Sequence, residues 1–376
     1  MAQMAEKPRE IVEKQIEEVQ KVVAVSEVSS DERTEAEESV LNSEEEDVGF
    51  LDIDLLLDHG ISLKEVNQLK KAGFNTVKGI QMATQKKLSM INGFNEAQVI
   101  KIKEACKKIA QIGSATSSFI NCLELSEQRK QVFRLSTGSK NIDKILGGGV
   151  ESMSLTEVFG EARTGKTQLA HTLCVTAQMP GENGYLGGKV IVIDTESTFR
   201  PDRIKPIADR FDLDNTSVLE NICYARAYNS EHQYELLNGV AEKLHEEPGM
   251  FKLLIVDSIM ALFRVDFIGS GEMSERQSKL GLMLSRLQKI SEEYNIAVFL
   301  TNQITTDLNF TLLNDLEVKP VGGNILAHTS TTRIALKKGK GNIRIAKLYD
   351  SPNLEEKETE FLITNGGIAD PKSDDE

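Results

Sequence analysis

The feature that most constrains this 376-residue chain is a glycine-rich octapeptide, G-x-x-x-x-G-K-T, at residues 160–167. An apolar run at 155–159 precedes it and a helix-compatible segment at 168–178 follows it, which is the strand–loop–helix order of a phosphate loop. In such a loop the backbone N–H groups face the β-phosphate, the lysine lies between the β- and γ-phosphates, and the threonine hydroxyl holds Mg²⁺. The pattern predicts binding of a nucleoside triphosphate through Gly160, Glu161, Ala162, Arg163, Thr164, Gly165, Lys166, Thr167 and Gln168.

Further along the chain, apolar β-like runs alternate with amphipathic helical stretches. The runs lie at 190–193, 253–256, 297–301 and 332–336. Continuous apolar runs interleaved with helices indicate a mostly parallel sheet that is covered on both faces. Residues 131–370 are therefore predicted to form an α/β P-loop ATPase core.

The rest of the chain divides by composition. Residues 1–47 carry fifteen acidic and five basic side chains, which is typical of a disordered acidic tail. A compact helical domain is predicted at 48–112, a linker at 113–130 that begins with small and polar residues, and a second acidic tail at 371–376. The net charge is −14, of which the first 47 residues carry −10 and the last seven −3, so about −1 remains between them. The folded part is nearly neutral, and its basic loops can contact a polyanion.

Cysteine usage and hydropathy exclude several classes of protein. The four cysteines are widely spaced with no C-x-x-C pair, so we expect a reduced intracellular protein without a disulfide framework or zinc site. No apolar run approaches the roughly 18 residues of a membrane span, and the first residues show no signal-peptide pattern. We expect no membrane partner.

Three of the apolar runs end in polar side chains that suit phosphoryl transfer. Asp257 follows 253–256 in the Walker B pattern and is a candidate Mg²⁺ ligand beside Thr167. Glu196 follows 190–193 and suits a base that orients and deprotonates water, although a carboxylate there is more often a solvated loop residue. Gln303 follows 298–301, where an amide could sense the γ-phosphate. The candidate catalytic residues are Glu196, Gln303 and Lys166.

The helical domain contains the segment 88–99, which resembles a helix-hairpin-helix module. In that module the hairpin presents backbone N–H groups to a DNA phosphate, and four lysines (Lys101, Lys103, Lys107 and Lys108) would supply charge nearby. An ordinary helical bundle with a glycine turn and a solvated lysine face explains the same residues equally well.

Taken together, the phosphate loop and the three strand ends resemble the RecA-family strand-exchange recombinases of the archaeal and eukaryotic branch. The resemblance covers about residues 50–370 and includes the stretches LGGG at 146–149, FRPDR at 199–203, YARA at 224–227 and YDSP at 349–352. Segments 171–179, 207–211 and 287–294 look most like the meiosis-specific eukaryotic members of that family.

The resemblance implies a nuclear, DNA-dependent ATPase that uses ATP and Mg²⁺. Such a protein assembles with itself into helical filaments, or rings, on single-stranded DNA, pairs that strand with a homologous duplex and works with recombination accessory proteins. Meiotic recombination and double-strand break repair are the implied processes. In this family Glu196 would activate water and Gln303 would sense the γ-phosphate, while Asp350, Ser351, Pro352 and His328 would contact the neighbouring protomer's ATP.

Assembly in the family uses a Phe-x-x-Ala hook, which Phe119 and Cys122 match except that cysteine replaces alanine. The somewhat larger sulfur predicts a looser fit. Ala225 and Ala227 would line the receiving pocket. From the residues alone, packing of Phe119 against its own domain is the favoured alternative.

DNA contacts are implied for two loops, at about 265–275 and 304–321. Arg264 and Arg276 flank the first loop, which has Ser270 where the family has an arginine, so one phosphate contact is expected to be lost. The second loop departs from the family pattern but keeps apolar side chains such as Phe310 that could wedge between bases. Arg163, Lys337 and Lys347 match family positions that bind duplex DNA.

Two alternatives to a recombinase remain open on the sequence. Ser270, Cys122 and the altered second loop suit a paralogue that acts as an accessory mediator without strand exchange. A small-molecule kinase or motor is a more distant alternative, because no lid or acceptor site is apparent.

Overall fold

The computed structural model describes residues 51–113, 119–181, 185–269, 271–306 and 318–371. The acidic tail at 1–47 and nearly all of the tail at 371–376 lie outside these ranges. Within them, the structure contains no helix that is both long and apolar enough to span a bilayer.

The amino-terminal part of the described chain is helical. Its elements are a 3₁₀ helix at Ile53–His59, α1 at Leu63–Lys71, α2 at Val77–Met82, α3 at Gln85–Ser89 and α4 at Glu96–Gly113. Local sequence explains where α1 begins, because Ser62 and Glu65 form a reciprocal capping box. The helices enclose a small core of their own that includes Leu56, Leu69 and Ile102.

A linker helix and the α/β region follow. The helices are α5 at Cys122–Gln128, a 3₁₀ turn at Arg129–Gln131, α6 at Lys140–Ile145, α7 at Lys166–Thr176, α8 at Pro201–Arg210, α9 at Asn215–Glu220, α10 at Ser230–Glu246, α11 at Ala261–Asp266, α12 at Met273–Tyr294 and α13 at Gly323–Thr329. The strands are β1 at Arg134–Leu135, β2 at Val150–Glu151, β3 at Ser154–Gly160, β4 at Lys189–Asp194, β5 at Ile222–Arg226, β6 at Phe251–Asp257, β7 at Ala297–Asn302, β8 at Ile304–Thr306, β9 at Val318–Pro320, β10 at Thr332–Lys338, β11 at Ile343–Asp350, β12 at Glu358–Thr364 and β13 at Gly367–Ala369.

Nine of these strands form one sheet in the order β13-β12-β11-β10-β3-β7-β6-β4-β5. The six strands from β10 to β5 are parallel to their neighbours, while β11, β12 and β13 pair in antiparallel fashion beyond β10. Two apolar clusters cover the sheet, one centred on α7 and the other on α12. The mostly parallel α/β core predicted from the apolar runs is confirmed.

The sequence did not predict every element. The antiparallel strands β11 and β12 have many half-exposed side chains, so they lack the continuous apolar runs that revealed the parallel strands. Helix α5 lies inside the stretch interpreted as a linker; Asn121 caps it, and it buries no side chain. The domain boundaries themselves stay a prediction.

Two of the helical domain's candidate DNA-binding lysines contact their own domain. Lys101 donates to the carbonyl of Gly60, and Lys103 donates to the carbonyls of Ile80, Gln81 and Ala83. Lys107 and Lys108 are exposed. If this domain binds a DNA phosphate, Lys107 and Lys108 would therefore supply the positive charge.

Candidate nucleotide and DNA-binding site

Four neighbouring parallel strands end at one edge of the sheet. They are β3, β7, β6 and β4, and their last residues are Gly160, Asn302, Asp257 and Asp194. Parallel strands bring their carboxyl ends to the same edge, which is where α/β proteins bind ligands. Residues far apart in sequence, from 160 to 303, thus meet above this edge.

The backbone of the phosphate loop depends on its two outer glycines. Gly165 begins α7 with a left-handed φ of 110°, a conformation that side chains disfavour. A Cβ on Gly160 would lie 2.3 Å from the carbonyl oxygen of Leu336 on β10, so this strand end needs glycine for close packing. The amino terminus of α7 then faces the space above the sheet and attracts anions.

Lys166 lies between two clefts of about 470 Å³ each. Its Nζ donates to the carbonyl oxygens of Gly160 at 2.9 Å and Glu161 at 2.8 Å. Burial lowers the pKa of this ammonium group. One cleft also contains Glu196, Asp257 and Gln303, and the other contains Gln168 and Arg344. The size and polarity of the paired clefts suit a triphosphate on one side of the lysine and a nucleoside on the other.

The candidate metal ligands, Thr167 and Asp257, are adjacent. Asp257 is 8% exposed and accepts hydrogen bonds from the hydroxyls of Thr167, at 2.8 Å, and Thr301. Burial raises the pKa of the Asp257 carboxyl. A carboxylate and a hydroxyl are hard oxygen ligands of the kind Mg²⁺ prefers beside phosphate oxygens, so these residues fit that ion.

Glu196 and Gln303 are in direct contact. The Gln303 amide nitrogen donates to Oε1 of Glu196 at 2.9 Å, and the Ser258 hydroxyl donates to the same oxygen at 2.7 Å. Glu196 is exposed, but two donors hold it in the cleft that it shares with the phosphate loop. The arrangement brings together the three predicted catalytic residues and the candidate metal ligands.

Asp194 orients the turn that carries Glu196. Its carboxylate accepts backbone hydrogen bonds from residues 196–199, and Arg226 and Tyr224 also donate to it at 3.2 Å. Although burial alone would raise the pKa of Asp194, these backbone donors lower it. Asp194 was not among the residues predicted from the sequence to act at the site. An Asp that ends a strand before a run of polar residues is the signal of a side chain that organises its own turn.

The candidate DNA-binding residues lie in three places. Arg264, at the end of α11, donates to the Gln303 amide oxygen at 2.7 Å, and Arg276 contacts the sulfur of Met273 at 2.7 Å. Lys337 and Lys347 line one cavity of about 420 Å³ beside the phosphate loop, and Lys347 also pairs with Glu356 at 2.9 Å. Arg163 lines both clefts beside Lys166, and its carbonyl accepts from Arg344 at 3.3 Å. Ser270 and Phe310 are outside the described residues.

The residues predicted to act on a neighbour's nucleotide are remote from this chain's phosphate loop. In the sheet, Asp350 on β11 lies opposite Arg333, near the start of β10. The phosphate loop begins at Gly160 on β3, which lies opposite Leu336, nearer the other end of β10. Ser351 and Pro352 continue away from β11, and His328 is exposed on α13. None of the four lines either cleft beside Lys166. Their predicted role in another protomer's site therefore remains a prediction.

The candidate assembly residues differ in exposure. Phe119 is 89% exposed, and Cys122 is exposed at the start of α5. The assignment of Phe119 as the hook stays a prediction. Ala225 lies half-buried on β5, the edge strand of the sheet. Ala227 is fully buried in the core. Of the two alanines, only Ala225 presents surface to an incoming side chain here.

Two further residues complete the site but were not singled out from the sequence. Ser258 binds Glu196, and Thr301 binds Asp257. Ser258 follows β6, and Thr301 lies near the end of β7, so both are at the sheet edge where ligands bind. That position is the feature of the sequence that could have indicated their roles.

Comparison with known proteins agrees with this geometry. Residues 128–371 match the family model described as Rad51. The human protein named meiotic recombination protein DMC1/LIM15 homolog is 60% identical over 338 residues, which cover 90% of this chain and 98% of the human one. Meiotic recombination protein DMC1 homologs from Lilium longiflorum and Arabidopsis thaliana are 52% and 53% identical, covering 90% and 88% of this chain and 94% of each relative. The chain belongs to the Rad51 family.

Proposed function

We propose that this chain is an ATP-dependent DNA recombinase that forms filaments on single-stranded DNA and catalyses homologous pairing and strand exchange in meiotic recombination. The observation that carries the proposal is the meeting of Lys166, Glu196, Gln303 and Asp257 at one sheet edge. Its relatives named meiotic recombination proteins support the same function. Such work is done on chromosomal DNA, so we place the protein in the nucleus.

ATP hydrolysis requires positioning and charge stabilisation more than covalent chemistry. The N–H groups of the phosphate loop and the Lys166 ammonium would bind the phosphates of ATP, and Gln303 would contact the γ-phosphate. Glu196, held by Ser258, would accept a proton from the attacking water. Thr167 and Asp257 would hold Mg²⁺, which would supply charge neutralisation on the phosphate oxygens.

Assembly would bring the nucleotide site of one protomer against residues of the next. The exposed Phe119 is the candidate hook, and β5 offers an unpaired sheet edge that carries Ala225. Asp350, Ser351, Pro352 and His328 would then reach the nucleotide of the adjoining protomer. Hydrolysis would depend on the filament, because each protomer supplies only part of the arrangement.

DNA would be bound without regard to sequence. Arg264, Arg276 and Phe310 are proposed to contact the single strand, and Arg163, Lys337 and Lys347 the incoming duplex. Binding through phosphates leaves base pairing itself to test homology. Recombination accessory proteins are proposed as further partners.

Homologous pairing tests the proposal. A single-stranded oligonucleotide and a supercoiled duplex are mixed with the protein, ATP and Mg²⁺, and joint molecules are counted. We expect joints that require both homology and ATP. Tight single-strand binding without joints would instead support the accessory-mediator alternative, which the similarity to meiotic recombination proteins disfavours.

A further inference from the structure

Arg264 and Glu196 are connected through one side chain, Gln303. The Arg264 guanidinium donates to Oε1 of Gln303 at 2.7 Å, and Nε2 of Gln303 donates to Oε1 of Glu196 at 2.9 Å. A guanidinium can only donate and an ionised carboxylate can only accept. The amide of Gln303 therefore has a single orientation that satisfies both neighbours, and Arg264 fixes it.

This orientation engages one carboxylate oxygen of Glu196 and one N–H of Gln303. Oε1 of Glu196 accepts from Gln303 and from Ser258 at 2.7 Å, so both of its lone pairs are engaged. The Gln303 amide nitrogen is the group that would contact a γ-phosphate, and its bond to Glu196 turns it towards the carboxylate. The hydrogen-bonded chain thus holds the proposed sensor and the proposed base against each other.

Hydrogen bonds hold the backbone at Gln303, so the part of this residue that can reorient is its side chain. The Gln303 N–H donates to Asn302 at 2.8 Å, and Asn302 donates to the buried Glu157 and to the carbonyl of Val321, each at 2.7 Å. Glu157 also accepts from Arg333 at 2.7 Å. This buried network anchors the Gln303 backbone, while its side chain bonds to Arg264 and Glu196 among the described residues.

Arg264 is exposed at the end of α11, where the first candidate DNA loop begins. A guanidinium bound to a neutral amide oxygen can be drawn away by a phosphate, because the phosphate adds charge–charge attraction and can accept two parallel N–H bonds from arginine. A DNA phosphate is such an acceptor and favours the fork geometry of arginine. DNA and Gln303 would therefore compete for the same guanidinium.

We propose that Arg264 is a positioning residue: without DNA it holds Gln303 against Glu196, and a DNA phosphate that binds Arg264 releases Gln303 and permits ATP hydrolysis. The proposal rests on the proposed function. It assigns a physical route by which occupancy of the first DNA loop reaches the nucleotide site, through one guanidinium and one amide.

The test is the ATPase rate of Arg264→Met with and without a single-stranded oligonucleotide. We expect the DNA-free rate to rise about tenfold, the factor equivalent to ~1.4 kcal/mol, and the stimulation by DNA to fall towards unity. The change should be in kcat and not in KM for ATP, because Arg264 lines neither nucleotide cleft. Arg264→Lys keeps a cationic donor and should keep the low DNA-free rate.

Lys279→Met is the matched control, since it removes an exposed positive charge from α12 that pairs with Glu231 and Glu275. It should leave the DNA-free rate unchanged. A wild-type protein stimulated by DNA, together with an Arg264→Met variant whose DNA-free rate equals that of wild type, would overturn the relay and leave the proposed function intact. Absence of ATP hydrolysis by the wild type under every condition would overturn both.

Discussion

His171 is a buried ionisable residue on α7, directly behind the phosphate loop. It is 2% exposed, and its Nε2 accepts the backbone N–H of Arg200 at 3.2 Å. Burial, reinforced by the nearby Arg203 charge and opposed by Asp194, lowers its pKa to about 4. An unfolded chain would protonate this imidazole near pH 6.5, so folding is favoured by its neutral form.

The sign of the resulting pH dependence follows from that lowered pKa. The contribution of His171 to stability is complete above about pH 6.5 and is lost as the pH falls towards 4. Between about pH 7.5 and 5.0 the loss is ~2 kcal/mol in the free energy of unfolding. We expect His171→Gln to remove this part of the decline. Urea unfolding of both proteins at the two pH values measures it, and parallel declines would show that His171 does not titrate as its burial requires.

At the scale of residues, a site residue could be predicted from the sequence where a local motif contains it. It could not be predicted where only a tertiary contact gives the residue its role. Lys166, Thr167 and Asp257 follow from strand–loop–helix patterning, and the structure brings them together. The bond from Arg264 to Gln303 joins residues 39 positions apart on different elements, so no local pattern could reveal it. Ser258 likewise acts through a tertiary neighbour, Glu196.

At the scale of elements, the parallel strands were predictable because burial on both faces leaves continuous apolar runs. All seven residues of β3 are buried, for example. β11 was not predictable in this way, since its side chains are mostly half-exposed and include Arg344 and Lys347. It is recognised only as an extension of the sheet beside β10.

The prediction about filament assembly concerns Phe119, just before helix α5, and the edge strand β5. Phe119→Glu should abolish filaments and leave monomers or rings, because a charged side chain cannot enter an apolar pocket without a partner. Light scattering and negative-stain microscopy with ATP and single-stranded DNA measure the outcome. Leu123→Glu introduces the same charge at a 72% exposed position on α5 and should still assemble. Normal filaments from Phe119→Glu would mean that the hook is assigned wrongly.

Across the whole molecule, α12 connects the helical domain with the candidate DNA loops. It begins at Met273, within the last residues of the first loop, and near its other end Arg286 and Lys289 donate to the carbonyls of Gly73, at 2.9 Å, and Met82, at 2.7 Å. Glu293 is buried there and accepts from Thr76. The helical domain is thereby attached through backbone carbonyls and one buried carboxylate to the helix that leads out of the first DNA loop.

Charge is distributed unevenly over the molecule, and this leads to a prediction about the acidic tail. Residues 1–47 carry a net −10 while the chain between the two tails is nearly neutral. A tethered polyanion competes with DNA for the same basic surface, and the competition weakens as salt shortens the Debye length to ~10 Å at 0.1 M. Deleting residues 1–47 should therefore tighten binding of a single-stranded oligonucleotide at low salt and have little effect at high salt.

Fluorescence anisotropy at low and high salt measures this effect. The matched variant keeps the tail length but replaces the ten acidic side chains within residues 26–47 by Asn and Gln. If charge is the cause, the neutralised tail should reproduce most of the deletion's gain in affinity, because these ten side chains are the majority of the tail's acids. A gain from the deletion alone would indicate that the tail acts by its bulk. An unchanged affinity at low salt in both variants would show that the tail does not restrain DNA binding.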